Sequence, residues 1–202
     1  LGAIREERTI ASLVGEIRKT RKVVSEPERY LVKRDATEAK NSALAELTVL
    51  VPDRGGILEL EESMNRARES QLLKKYFKPA LESFDYVLID MPGNVDRRNT
   101  LIVNGLTMSD FVVVPVEPPQ IALNALPDTF ELIRHAVSKN RNARPAILGL
   151  VLNKTDKRAQ QYKAKFPEIL AAANRGELPP VFNAFLPTNP KLATATDETM
   201  FF

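Results

Sequence analysis

Hydrophobic positions recur along this chain in two rhythms, and the changes between them mark out its elements. Within residues 4–22, Ile10, Leu13, Val14 and Ile17 stand at helical spacing, so one face is directed at a core and the remainder is charged. The run Arg18-Lys19-Thr20-Arg21-Lys22 closes that helix, where cations complement the macrodipole. It reads as a solvated helix end, with a phosphate-binding patch as the minority alternative. Residues 25–46 are polar and mixed and contain Pro27, the composition of a loop with at most a short helix. Leu47-Thr48-Val49-Leu50-Val51 is a short strand, stopped by the turn residues Pro52-Asp53-Arg54-Gly55-Gly56. From Leu58 to Ser83 the helical period returns, broken near Ser70 and with Pro79 late in its second piece.

Beyond Ser83 the pattern changes to continuous apolar runs separated by helical stretches. Tyr86-Val87-Leu88-Ile89, Phe111-Val112-Val113-Val114-Pro115-Val116, Ala146 to Leu152 and Val181 to Leu186 each read as a strand, because unbroken apolarity is favoured only where both faces are covered. Asn94 to Met108 forms a loop running into a helix. A helix over 121–137 puts Leu126, Phe130, Ile133 and Val137 on one face, with Pro127 starting or bending it. A basic helix from about Lys157 to Asn174 is closed by Gly176, and Pro187-Thr188-Asn189-Pro190 turns the last strand into a short final helix. Strands alternate with crossovers long enough for parallel pairing. The class is therefore α/β, with a mostly parallel sheet flanked by helices.

Composition narrows this picture. A chain of 202 residues, 44% hydrophobic and 27% charged, is not disordered and is long enough for one α/β domain, expected over 1–202. It contains no cysteine, which removes disulfides and thiolate zinc sites and is compatible with a reducing cytoplasm. No apolar run approaches the roughly 20 residues that span a bilayer, so a cytoplasmic protein without a membrane partner is expected. The formal net charge of +3 and pI near 9.1 permit contact with nucleic acid without demanding it.

The candidate chemistry gathers at strand ends. Asp90 ends its apolar run just before Met91-Pro92-Gly93, and ligands of open α/β sheets bind at the carboxyl ends of strands. A carboxylate there can hold Mg²⁺ directly or through its waters; the bland alternative is an Asp that caps the next segment. Asp90 to Gly93 also matches the D-x-x-G pattern of GTPases, and Asn153-Lys154-Thr155-Asp156 matches N-K-x-D. Each is weak alone, but both follow apolar strands in the right order. Asn153 could simply be a polar stop after a strand, but its place in N-K-T-D favours the nucleotide role. Lys157, Arg158, Lys163, Lys165 and Arg175 place positive charge on or beside one helix; a solvated face is the default and DNA contact the minority reading. Tyr162 and Phe166 read as packing anchors. His135 has no metal-ligand neighbours at suitable spacing, and no nucleophile elbow is present.

Taken together, Phe84 to Pro92, Asn104-Gly105-Leu106, Val114-Pro115-Val116-Glu117-Pro118, Ile147 to Asn153 and Leu186 to Leu192 resemble the ParA/MinD family of partition ATPases, a P-loop NTPase fold. The similarity spans most of residues 47–195, and the run at 115–118 and the Pro187 turn favour this family over small GTPases. The resemblance implies ATP and Mg²⁺ as cofactors. It implies Asp90 as the Walker B acid, Asn153 as a base-contacting residue, and the backbone around Pro187 to Asn189 as a lining for adenine. It further implies a homodimer that binds DNA nonspecifically, assigned here to Lys157, Arg158 and Lys163, and that answers to a ParB-like centromere-binding partner at the nucleoid. One feature departs from the family. None of the eight glycines is followed by lysine, so the G-x-x-x-x-G-K-[ST] loop that grips phosphates is absent; the family's closing helix is not evident either. The expectation is an internal portion of a longer protein or a variant lacking its phosphate site, inactive by itself in hydrolysis. A GTPase and a nucleotide-independent binding module stand as alternatives.

Overall fold

The computed structural model describes residues 8–33, 47–52, 56–93, 96, 98–117, 124–142, 144–155 and 158–187. The expected final helix after Pro187 lies outside them. The chain forms two compact units, one drawn from Leu1–Pro92 with Asp96–Met108 and the other from Gly93–Val95 with Ser109–Phe202.

In the first unit, helix α1 (Ile10–Thr20) begins where the Thr9 hydroxyl accepts the Ser12 backbone N–H, a standard way of satisfying a donor that the helix cannot. It ends at Arg21, whose left-handed backbone lets its N–H reach the Ile17 carbonyl. Leu13, Val14 and Ile17 are fully buried, as their spacing predicts. Strands β1 (Val32–Lys33) and β2 (Thr48–Val49) pair antiparallel. Helix α2 (Gly56–Ala67) and helix α3 (Leu72–Tyr76) follow, and a 3-10 turn over Lys78–Leu81 continues them. Helix α4 (Thr100–Met108) completes the set. Its first turn is capped twice: Asn99 Oδ1 accepts from Leu101 and Ile102, and Asn65 Oδ1 accepts from Thr100. The core joins Leu13, Ile17, Leu60, Met64, Leu73, Phe77 and Met108 across all four helices.

The break near Ser70 is a joint held from two sides. Glu69 receives Arg18 Nε at 2.6 Å and Arg21 at 2.9 Å from α1, and Arg18 also donates to Ser63 Oγ at 2.7 Å. Two guanidiniums of the basic cluster at the end of α1 thus converge on one carboxylate, while Lys19 and Lys22 are exposed, as a solvated helix end requires. From the other side comes Asn104, which is completely buried. Its amide donates to the carbonyls of Glu69 and Thr100 at 2.6 and 2.8 Å and accepts the Leu73 N–H at 2.9 Å. Thr107 adds a hydroxyl to the Ser70 carbonyl.

The strand expected at Tyr86–Ile89 is corrected: this run enters no ladder among the described residues. Tyr86 and Leu88 are 88% and 92% exposed, while Ile89 packs against the core of the first unit. Apolarity states what side chains require; it does not supply the neighbouring backbone that a strand needs.

In the second unit, β3 (Phe111–Val116), β4 (Ala146–Thr155) and β5 (Val181–Pro187) form a parallel sheet in the order β3-β4-β5. Helix α5 (Leu126–Ser138) carries Pro127 in its first turn, and helix α6 (Gln160–Asn174) follows β4. The parallel α/β architecture expected from the sequence is present. Val114 and Val116 are buried, as are Leu150 and Leu152 opposite them; Phe111 and Val113, on the other face, are exposed. Leu126, Leu132, Ile133 and Ala136 of α5 and Ile169 of α6 are buried as well.

Two measurements test this architecture. Asn104→Ala takes its partner from the buried Leu73 N–H and removes two further bonds to carbonyls, so a loss of about 2–4 kcal/mol in unfolding free energy is expected by urea denaturation; an unchanged midpoint refutes the joint. Tyr30 donates its hydroxyl to Glu16. Burial first, then that bond and the Glu16 charge, push its pKa up to about 12 from 10.0. A raised acid holds its proton more tightly when folded, so its contribution is complete below about pH 10 and disappears as pH rises through about 12. Tyr30→Phe is expected to remove that part of the alkaline loss of stability; identical pH profiles overturn it.

Candidate nucleotide site

Parallel pairing brings three strand ends to one edge of the second unit. Val116 lies in register with Leu152, and Thr155 with Pro187, so the residues just beyond those positions share the carboxyl edge, where open α/β sheets bind ligands. The structure thus places Asn153 and Pro187 at the same edge. Asn153 is half-buried and Pro187 exposed. β4 runs through Asn153, Lys154 and Thr155, so these residues belong to the strand, whereas the sequence suggested that it stops at Leu152. The ladder extends because Thr155 finds Pro187 beside it.

At this edge Lys154 adopts a left-handed backbone, with φ of 47°, a conformation uncommon outside glycine and asparagine. Its ammonium meets Glu117, just beyond β3, at 2.8 Å. Sequence reasoning misses this pair, although both members lie inside segments that stand out in the chain. The strand register is the signal that joins them, since each lies just beyond the Val116–Leu152 pair.

The spacing of β4 and β5 depends on Gly149. A Cβ there would meet the Pro180 carbonyl oxygen at 2.6 Å and the Phe182 ring at 3.2 Å. Leu150 donates its N–H to that same Pro180 oxygen at 2.8 Å, so the close approach fixes the start of β5. On β4, Val112 pairs with Ile147 and Val113 with Gly149, leaving Leu148 as the extra residue of a bulge.

Asp90 belongs to the first unit. Its approach is set by Gly105 of α4, where a Cβ would lie 3.3 Å from Met91 Sδ and 3.5 Å from Ile89 Cγ2. With Ile89 and Met91 turned toward α4, Asp90 between them is exposed. An exposed, hard, acceptor-only oxygen donor suits Mg²⁺, which keeps most of its waters and takes one or two protein carboxylates. No cluster of three or more metal-binding side chains occurs among the described residues.

Of the residues assigned to DNA, Lys157 lies outside the described residues, as does Asn189 from the base-lining set. Arg158 precedes α6 and Lys163 stands in its first turn; both are exposed. Lys165 pairs with Glu168 at 2.9 Å and Arg175 with Glu177 at 2.7 Å. The Arg175 hydrogen bond holds the Glu177 carboxyl below its ordinary range. Lys165 and Arg175 thus carry local counter-charges. Tyr162 and Phe166 stack on each other with centroids 4.9 Å apart, consistent with a packing role. No helix among the described residues is long and apolar enough to cross a membrane.

Comparison with known proteins adds a family match. A family model described as an AAA domain matches residues 14–145. The sporulation initiation inhibitor protein Soj of Bacillus subtilis is 30% identical over 123 residues, covering 61% of this chain and 45% of Soj. An uncharacterised protein of Methanocaldococcus jannaschii is 24% identical over 128 residues, covering 59% of this chain and 48% of its own length. The chain therefore spans about half the length of the curated relatives it matches. In fold it is similar to apo McdA of Cyanothece, with a TM-score of 0.69 at 18% identity over 95% of this chain and 68% of that one. It is also similar to cobyrinic acid a,c-diamide synthase of Mycobacterium smegmatis with bound ADP and magnesium, with a TM-score of 0.62 at 26% identity over 82% and 61%.

Proposed function

Since the chain belongs to the AAA-domain family, of the ParA/MinD type, we propose that it forms the magnesium-side and base-side parts of an ATP-binding, ATP-hydrolysing switch. The observation that carries this reading is the carboxyl edge of the parallel sheet, where Asn153 and Pro187 come together. A solved structural neighbour at 26% identity holds ADP and magnesium, which supports a nucleotide with Mg²⁺ as the ligand.

In this reading residues 1–202 are one nucleotide-binding domain. Asp90 would hold Mg²⁺ and its waters, and the metal would supply charge neutralisation at the phosphates. Asn153, Pro187 and Asn189 would contact and line the base. The chain's own share of the chemistry is orientation: Gly105 fixes the approach of Asp90, and Gly149 fixes the edge that carries Asn153. The active form would be a nucleotide-dependent homodimer at the nucleoid that binds DNA nonspecifically through Lys157, Arg158 and Lys163 and answers to a ParB-like partner. The resemblance of the strand-end segments to the ParA/MinD family supports this wider role.

In the product of the whole gene, Asp90→Asn is expected to lower magnesium-dependent ATP hydrolysis by roughly a hundredfold, the scale of several kcal/mol at a metal site; undiminished hydrolysis refutes the assignment. For DNA, the double variant Arg158→Glu, Lys163→Glu is expected to reduce the salt slope of binding by about two, near one for each phosphate no longer neutralised. An unaltered slope and affinity would remove that helix from the interface.

A further inference from the structure

Lys154 and Glu117 form an ion pair that joins the ends of two neighbouring parallel strands beside Asn153. The distance is 2.8 Å, and the lysine backbone is held at φ of 47°. Left-handed backbone at a non-glycine residue persists only where its surroundings enforce it, and such residues concentrate at functional sites. Both side chains remain accessible, Lys154 at 65% and Glu117 at 41%, so a ligand at this edge can reach either of them.

The chemistry of purine edges says what the pair would do there. Guanine presents two adjacent acceptors, N7 and O6, which a lysine ammonium satisfies together; adenine presents the N7 acceptor beside an N6 amino donor, which an ammonium opposes. A free lysine at a base-binding edge therefore favours guanine. A lysine held by a carboxylate has its charge compensated, and its donors are spent on that acceptor-only group, so its preference for guanine is lost.

We propose that Glu117 is a specificity-determining residue that holds Lys154 away from the base and so biases this site toward adenine over guanine nucleotides. The proposal rests on the nucleotide-binding reading above and assigns a role to two side chains outside the expected set. Glu117 acts as a positioning residue with respect to Lys154, so the two must be tested together.

The test uses the product of the whole gene and a displacement assay in which ATP and GTP compete for a fluorescent adenine nucleotide. Glu117→Gln, which releases the lysine, is expected to shift the ratio of the two dissociation constants about fivefold toward GTP, the upper range for an exposed pair. Lys154→Met alone is expected to leave the ratio within about twofold of wild type. The combined Glu117→Gln, Lys154→Met variant is expected to return it there, because the shift requires a freed lysine. A merely structural role would not give that reversal. The proposal is overturned if nucleotide binding persists and Glu117→Gln leaves the ratio unchanged, or if the shift survives in the combined variant. If the wild-type protein binds neither nucleotide, the nucleotide-binding reading fails and the proposal with it.

Discussion

The first unit depends on the carboxylate of Glu69 and the carbonyl beside it. Two arginines from α1 converge on the side chain, which is largely withdrawn from solvent, and the Asn104 amide of α4 takes the main-chain oxygen. A kink between two helices would ordinarily leave unpaired polar groups, each costly when buried. Here those groups serve as the attachment points, so the weakest place in the helical run becomes the junction of α1, α2, α3 and α4. The placement of α4 follows from that junction. Gly105, next to Asn104, then lets Ile89 and Met91 approach closely and leaves Asp90 facing outward.

The second unit is organised by register. Once Val113 is set against Gly149 and Leu150 against Val181, the strand ends fall together, and Glu117 and Lys154 come within ion-pairing distance at the edge. Parallel pairing has this property in general, because every strand points its carboxyl end the same way. The bulge at Leu148 and the tight spacing at Gly149 adjust the register just upstream of the edge, as bulges near functional positions commonly do.

Much of this is legible in the sequence wherever the signal is local. The buried face of α1, the interruption near Ser70, the proline-started helix α5 and the three apolar strands all follow from spacing and punctuation. What escapes is non-local. Tyr86 to Ile89 has the composition of a buried strand but enters no ladder among the described residues, and composition carries no information about a neighbour. Arg18 and Arg21 look like cations at a helix end because Glu69 lies about fifty positions further along. Asn104 stands out in the sequence only as part of a family-like tripeptide, and its burial makes it a fastening of the fold. Glu117 and Lys154 belong to two separate motifs, and only the register of β3 with β4 joins them.

The contact at Gly149 has a consequence for how this protein can change over generations. The missing side chain is replaced by a main-chain oxygen, that of Pro180, and a main-chain atom cannot be mutated away. A compensating substitution therefore cannot be found at the contact itself; it would have to alter the path of the whole link between α6 and β5. Position 149 is in this sense inherited jointly with the course of that link, so its evolution proceeds by loop remodelling and not by point substitution.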